Sequence, residues 1–229
     1  MVSATRVADW IVRFRYEELG APVDPMSLEK LMYYAQSFHL ALRDGELFPE
    51  DIAAWRHGPV VHPVWDRYRK YQANPIIPEG AEKRLDASLE DFIREVVIFF
   101  GNCTAIQLSN ATHAEEPWQK AREGFSRNDD SNVVIPKDHL KSYYCTLVST
   151  GEEALSRHEL LDVVPEPRWA HLYVAGICRR RMFGHPLYIP GLAKRLSDKT
   201  PELADLGDDF YAPIGKPDYL VFEPKNDAA

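Results

Sequence analysis

The sequence predicts a mainly α-helical fold: one helical domain with a few short β-strands and a C-terminal extension. Three observations carry this. Apolar residues recur at helical spacing through most of the first 148 residues. Cap and stop signals bracket those stretches. Strand-like patches are few and short.

The first stretch runs from Ala4 to Leu19, with Val7, Ile11, Phe14 and Leu19 on one face and Trp10 widening it. Gly20 stands where a C-terminal cap belongs. Asp24-Pro25 opens the next helix, Ser27 to Arg43. Leu28, Leu31, Met32, Ala35, Phe38 and Leu42 line its apolar face, and Asp44-Gly45 ends it. His39 borders that stripe as a boundary residue. Between Glu46 and Trp55, short apolar patches flank Pro49-Glu50-Asp51, which predicts a small hairpin near 46–55. Gly58-Pro59 is a turn signal. A short helix follows over Pro63 to Gln72, then a proline-rich loop from Asn74 to Gly80.

Asp86 begins a helix that runs to Phe100, with Leu89, Phe92, Ile93, Val96 and Val97 inward and Gly101 after its end. Thr104-x-x-Gln107 is a capping box for a helix to His113. Glu115 to Glu123 is a further short helix with Pro117 near its start. Val133 to Ile135 reads as a short strand stopped by Pro136. Lys137 to Val148 returns to helical spacing, with Leu140, Tyr143, Tyr144 and Leu147 inward. From residue 150 the texture changes. One helix, about 165–182, precedes a Pro/Gly-rich segment. The chain therefore divides into a domain over 1–149 and an extension over 150–229.

Composition narrows function. At 229 residues the chain can bury a core without disulfide or metal staples. It carries 27 Lys and Arg against 35 Asp and Glu, net −8. Non-specific nucleic-acid binding depends on neutralising phosphates, so this balance disfavours it. The one basic cluster, Arg179 to Arg181, reads as complementing a helix end. The longest apolar run, Val96 to Phe100, is far short of the roughly 20 residues that a spanning helix needs. With no apolar leader near Met1, the expectation is a cytoplasmic protein. Three widely spaced cysteines, Cys103, Cys145 and Cys178, predict neither a disulfide framework nor a zinc site, and read as buried thiols.

Enzymatic signals are weak. His57 and His62 flank a turn five residues apart, not the i, i+4 helix spacing of a zinc pair. His113 to Glu116 holds acid–base residue types, yet acidic side chains are expected at a helix start. No nucleophile elbow, phosphate loop or dinucleotide fingerprint is present. The sequence assigns no catalytic residue, no metal and no cofactor. Two other readings stay open: a hydrolase whose cleft gathers His57, His62, His113 and Glu116, and a DNA-binding autoregulator of its own operon.

Three motifs occur in a distinctive order. Lys30-Leu31-Met32-Tyr33-Tyr34-Ala35-Gln36 comes first. Ala54-Trp55-Arg56-His57-Gly58-Pro59-Val60-Val61 follows, then Thr112-His113 with Glu115 and Pro117-Trp118. This pattern resembles the Panacea domain of SocA-like antitoxins, found also in phage-associated GepA-like proteins, over about residues 4–145. The family commonly has Tyr where His57 stands. The resemblance implies a mainly helical domain that neutralises a cognate toxin (SocB-like or other) by binding it. In the SocA branch it implies a proteolytic adaptor that delivers the toxin to the ClpXP protease. It places partner contacts at motif positions: Lys30, Tyr33, Tyr34, Gln36, Trp55, His57, Gly58, Pro59, Val60, Trp65, Tyr68, His113 and Trp118.

Physical chemistry accommodates that reading. Tyr33, Tyr34, Trp55, Trp65 and Tyr68 are the kind of large amphipathic side chains that dominate interfaces. Trp55 and Trp65 fit a core equally well. Lys30 and Gln36 are polar residues on a core-like helix, explained either by buried partners or by a surface contact. The terminal Ala228-Ala229 resembles the end of tags read by the ClpX unfoldase, though Asp227 replaces the usual Leu.

Overall fold

The computed structural model describes residues 1–80, 84–100 and 103–146. Its architecture is helical with one small antiparallel sheet. Helix α1 spans Ala4–Arg13 and continues into a π-helical turn, Phe14–Glu18. Helix α2 spans Pro25–Arg43. Strands β1 (Ala53–Trp55) and β2 (Gly58–Val60) form a hairpin. Helix α3 spans His62–Tyr68 and tightens into a 3-10 turn, Arg69–Tyr71. Helices α4 (Ala87–Phe100), α5 (Ala105–His113) and α6 (Glu116–Ala121) follow. A last helix, α7, is described over 137–146.

The caps work as the sequence predicts. Asp24 Oδ1 accepts from the Ser27 amide at 3.0 Å, with Pro25 in the first helical turn. Thr104 and Gln107 close a reciprocal capping box on α5. Asp44 ends α2 in the left-handed region, at φ 54°. The first helix departs from expectation. Its α-helical register stops at Arg13, and the wider π-turn carries Leu19 out to 40% exposure.

Helix α2 is the axis of the fold. It packs against α1, α3, α4, α5 and β2, so Leu28–Leu40 is buried on every face. The sequence pattern marks only one apolar stripe. The structure buries the opposite face as well, and with it Glu29, Lys30, Gln36 and Ser37. Buried polar groups need partners, and those partners organise the rest of the domain.

The hairpin shows this. It is not at 46–55 but at 53–60, with register Ala53↔Val60 and Trp55↔Gly58 across an Arg56-His57 turn. Leu47 and Phe48 are buried but form no strand, because Gln36 takes a strand's place. Its Oε1 accepts from the Leu47 and Phe48 amides at 2.9 and 3.2 Å, and its Nε2 donates to the Phe48 carbonyl at 3.1 Å. The strand expected at 133–135 reduces to a single bridge, Val134 to Ala53, flanked by two hydrogen bonds of 2.8 Å. In α4, Phe92, Ile93, Val96 and Val97 face the core, as their spacing predicts. Cys103 and Cys145 are half-buried, not fully buried.

The expected extension 150–229, its helix at about 165–182, the Arg179–Arg181 cluster, Cys178, Ala228 and Ala229 lie outside the described residues. Among those described, no helix is long and apolar enough to cross a membrane.

Candidate functional site

The second and third motifs meet at the first turns of α2. Glu29 and Lys30 point into the hairpin and hold its backbone. Glu29 Oε2 accepts from the Val61 amide at 2.7 Å, and Lys30 Nζ donates to the Pro59 carbonyl at 2.9 Å. Both are buried, at 3% and 1% exposure. Desolvation pushes the Glu29 carboxyl up and the Lys30 ammonium down, and each charge partly offsets the other's shift.

Gly58 explains why this approach is close. Its φ is 102°, which L side chains rarely adopt, and a Cβ there would stand 2.6 Å from Lys30 Cε and 2.9 Å from Thr112 Oγ1. Helix α5 supports the same turn, since Ser109 Oγ donates to the His57 carbonyl at 3.1 Å. From the other side, Trp118 Nε1 donates to the Trp55 carbonyl at 3.1 Å and Arg122 Nη1 to the Ala54 carbonyl at 3.0 Å. The conformation of β1 and β2 is thus set largely by side chains from α2, α5 and α6.

A second buried cluster lies further along α2. Tyr33 and Tyr144 donate to Glu115 Oε2 at 2.6 and 2.8 Å. Burial pushes the Glu115 carboxyl up to about 7, against the opposing pull of these hydroxyls. Tyr34 stacks on Phe100 with centroids 3.9 Å apart. This cluster ties α2, the α5–α6 junction and α7 together.

Beside the hairpin opens a cleft of about 640 Å³. Met26, Glu29, Trp55, Arg56, Trp65 and Arg69 are among its walls. Trp55 and Trp65 meet edge to face at 5.1 Å, and the Arg69 guanidinium lies 4.8 Å over Trp65. Arg56 and Arg69 are half-exposed.

The expected contact positions therefore fall into two groups. Trp55, His57 and Trp65 reach the surface at this cleft, and Lys30 and Val60 contribute to its lining. Lys30, Tyr33, Tyr34 and Gln36 are inside the protein, as are Gly58, Pro59, Val60, Tyr68 and Trp118. Their burial corrects the idea that these side chains offer exposed contact area. They shape the surface from beneath, because α2 is enclosed on all sides. Tyr68 bonds Asp9 and stacks beneath Arg67, away from the Trp pair. His113 is half-buried against Trp118, at 4.2 Å, and burial with nearby Lys30 pushes its pKa down to about 4.

Of the four residues of the hydrolase alternative, His57 and His113 interact electrostatically, and each of the four has its main contacts elsewhere. Glu116 faces Lys120 at 2.7 Å and His139 at 3.3 Å. His62 packs on Trp55 and Trp65 and faces Asp66 at 3.6 Å. His57 bonds Arg56, and His113 stacks on Trp118. No hydrogen-bonded cluster joins them among the described residues. Nor do three metal-ligating side chains stand together there. Arg56, Arg69 and Asp130 at the cleft carry no periodic signal in the sequence. For Arg56 and Arg69, a place between the aromatic motif positions is the only hint, and Asp130 lies beyond the last of them, Trp118.

Comparison with known proteins covers the same elements. Residues 28–119, from α2 through most of α6, match the family model described as antitoxin SocA-like, Panacea domain. Over 126 residues the chain is 29% identical to a protein named antitoxin SocA, from Caulobacter vibrioides (strain NA1000 / CB15N). That match covers 48% of this chain and spans 65% of the relative's length. No solved structure matches. The buried Lys30–hairpin lock and the Trp118 tie to Trp55 are built from motif residues inside the stretch, 28–119, that matches the SocA-like Panacea family model.

Proposed function

We propose that this chain is the antitoxin of a bacterial toxin–antitoxin pair, working in the cytoplasm by binding a cognate protein toxin. The observation that carries the reading is the match over 28–119, which contains the α2–hairpin lock and most of the cleft beside it. A binding protein needs a rigid surface with anchoring side chains. The cleft supplies Trp and Arg, the residue types that dominate hot spots, on a hairpin fixed from three sides. The finer reading is that the bound toxin is handed to the ClpXP protease, with this chain as adaptor.

Co-expression with neighbouring genes tests both. A neighbour that arrests growth alone, is harmless beside this chain, and stays bound in high salt is the expected result. Adding purified ClpXP and ATP then separates the two forms of the proposal. An adaptor accelerates toxin degradation and is recovered intact, whereas a plain inhibitor leaves the toxin whole. Neighbours that are harmless and unbound would overturn the antitoxin reading.

A further inference from the structure

The small sheet has two edges, and only one of them is closed. On the β2 side, Pro59 has no N–H to offer, and its carbonyl accepts from Lys30 Nζ at 2.9 Å. The Val61 amide donates to Glu29 Oε2 at 2.7 Å, and the His57 carbonyl accepts from Ser109 Oγ at 3.1 Å. Side chains of α2 and α5 thus stand where a further strand would.

On the other side, the segment 133–135 lies against β1. The Ala54 amide donates to the Val133 carbonyl and the Ile135 amide to the Ile52 carbonyl, both at 2.8 Å. The Ala53–Val134 bridge between them is therefore a pair that shares no hydrogen bond. In such a pair, each residue turns its N–H and C=O away from the facing strand. Val134 points both groups outward, and neither bonds another described residue. Val133 and Val134 are also exposed, at 41% and 42%. Edges are ordinarily blunted by a charge, a bulge or a covering element. Here Ser131 to Pro136 carries no charged side chain.

The opening is short, and its length selects the occupant. Pro136 has no N–H, and its carbonyl accepts from the His139 and Leu140 amides at 3.0 and 3.1 Å. The free edge is thus one donor and one acceptor on one residue. A longer strand laid along it would leave its own groups unpaired opposite Pro136. An edge with the same short pattern fits without that loss, and Val134 of another copy presents it.

We infer that this edge pairs with a second copy of the chain, antiparallel about a two-fold axis beside Val134. Each Val134 amide donates to the Val134 carbonyl of the other copy. The two Val134 side chains meet on one face, and the Val133 side chains gain cover on the other. Because Ser131 to Pro136 is uncharged, two chains of net charge −8 approach with no like charges within the seam. Two backbone bonds and a few valines make a small interface, so the association is weak and reversible. The inference stands apart from the antitoxin reading.

The test uses the full chain. Sedimentation is followed from about 5 to about 500 µM, a range that brackets a dissociation constant on the order of 50 µM, as small interfaces give. Hydrogen exchange is read at both ends of that range. The expected result is a dimer at high concentration, with exchange of the Val134 amide slowed several-fold there. V134P removes the outward donor, spares both bonds to β1 and puts proline where an edge strand tolerates it. V134K brings a cation from each copy to the axis. Both are expected to weaken dimerisation at least about 10-fold. Ile106, on α5, is 68% exposed. I106K therefore removes exposed apolar surface elsewhere and stays within about twofold of wild type. If V134P lowers the melting temperature, V134K and the wild-type exchange data carry the test. A wild type that stays monomeric at the highest concentration overturns the inference. So does a dimer that V134P and V134K form as tightly as wild type, with the Val134 amide unprotected, since the contact is then elsewhere. Protection of Val134 that arises only when a neighbouring gene's product is added gives the edge to that partner and overturns the inference as well.

Discussion

Lys30 and Gly58 compete for the same volume. A Cβ on Gly58 would stand 2.6 Å from Lys30 Cε and 2.9 Å from Nζ, while that ammonium donates to the Pro59 carbonyl at 2.9 Å. The glycine is thus required twice, by its φ of 102° and by the lysine beneath it. Gly58→Ala is expected to destabilise the domain by about 3 kcal/mol, combining left-handed strain with displacement of a buried hydrogen-bonded ammonium. Urea denaturation measures this. A loss below about 0.5 kcal/mol, the range of an ordinary surface change, would show that the hairpin relaxes without Lys30.

Gln36 substitutes for a partner strand. It is fully buried and bonds both amides and one carbonyl of Leu47-Phe48. Gln36→Leu keeps similar volume and leaves three buried backbone groups unpaired. The expected cost is about 3 kcal/mol or more, since each such group forfeits its solvation. Hydrogen exchange locates it: the Leu47 and Phe48 amides lose protection before those of α4. Equal protection in variant and wild type would count against this role.

Glu115 and His113 give stability opposite pH slopes. The folded Glu115 carboxyl titrates near 7 against an ordinary 4.5, because it is buried. Its contribution is fully present below the ordinary value and is lost as pH rises through about 7. Half-buried His113 is pushed down to about 4, so its contribution is present above its ordinary 6.5 and is lost as pH falls toward 4. The two partly cancel in wild type. In Glu115→Gln the amide oxygen still accepts from Tyr33 and Tyr144, and the carboxyl's slope is gone. The variant is expected to gain stability relative to wild type from pH 4 to pH 8, by on the order of 3 kcal/mol. Denaturant titrations across that range measure the difference. A flat difference would mean that Glu115 ionises in the fold as it does in water.

What the sequence reveals follows from which physical signals are local. The start of α2 is legible because Asp24-Pro25 is a local device, and so is the capping box of Thr104 and Gln107. The buried stripe of α4 is legible from spacing alone. The hairpin is misplaced in sequence because Leu47 and Phe48 look like strand residues, while the group that pairs them, Gln36, is 11 residues away. The 133–135 segment meets β1 across about eighty residues, which no local pattern records. At the cleft, the motif points to Trp55, His57 and Trp65. It does not show that Tyr33 and Tyr34 lie beneath the surface, since a one-face period does not reveal a helix enclosed on all sides. Arg56 and Arg69 escape notice because exposed charges follow no period.

Arg122 joins the hairpin to the segment that completes the cleft. Its guanidinium donates to the carbonyls of Ala54, Ser126 and Asp129 at 3.0, 2.9 and 2.7 Å, and lies 5.2 Å over Trp118. Asp130 and Ser131, just beyond, line the cleft. A lysine is a point charge without the fork, so it cannot hold three carbonyls in these directions. Arg122→Lys is expected to cost about 2 kcal/mol, the loss of one or two charge-assisted hydrogen bonds in a buried setting. The loss is expected to be local first. Amides of 126–135 exchange faster while α2 and α4 stay protected, because Val134 keeps only its bridge to Ala53. Uniform loss of protection across α2, α4 and 126–135 would show that Arg122 supports the whole core and has no special hold on the cleft.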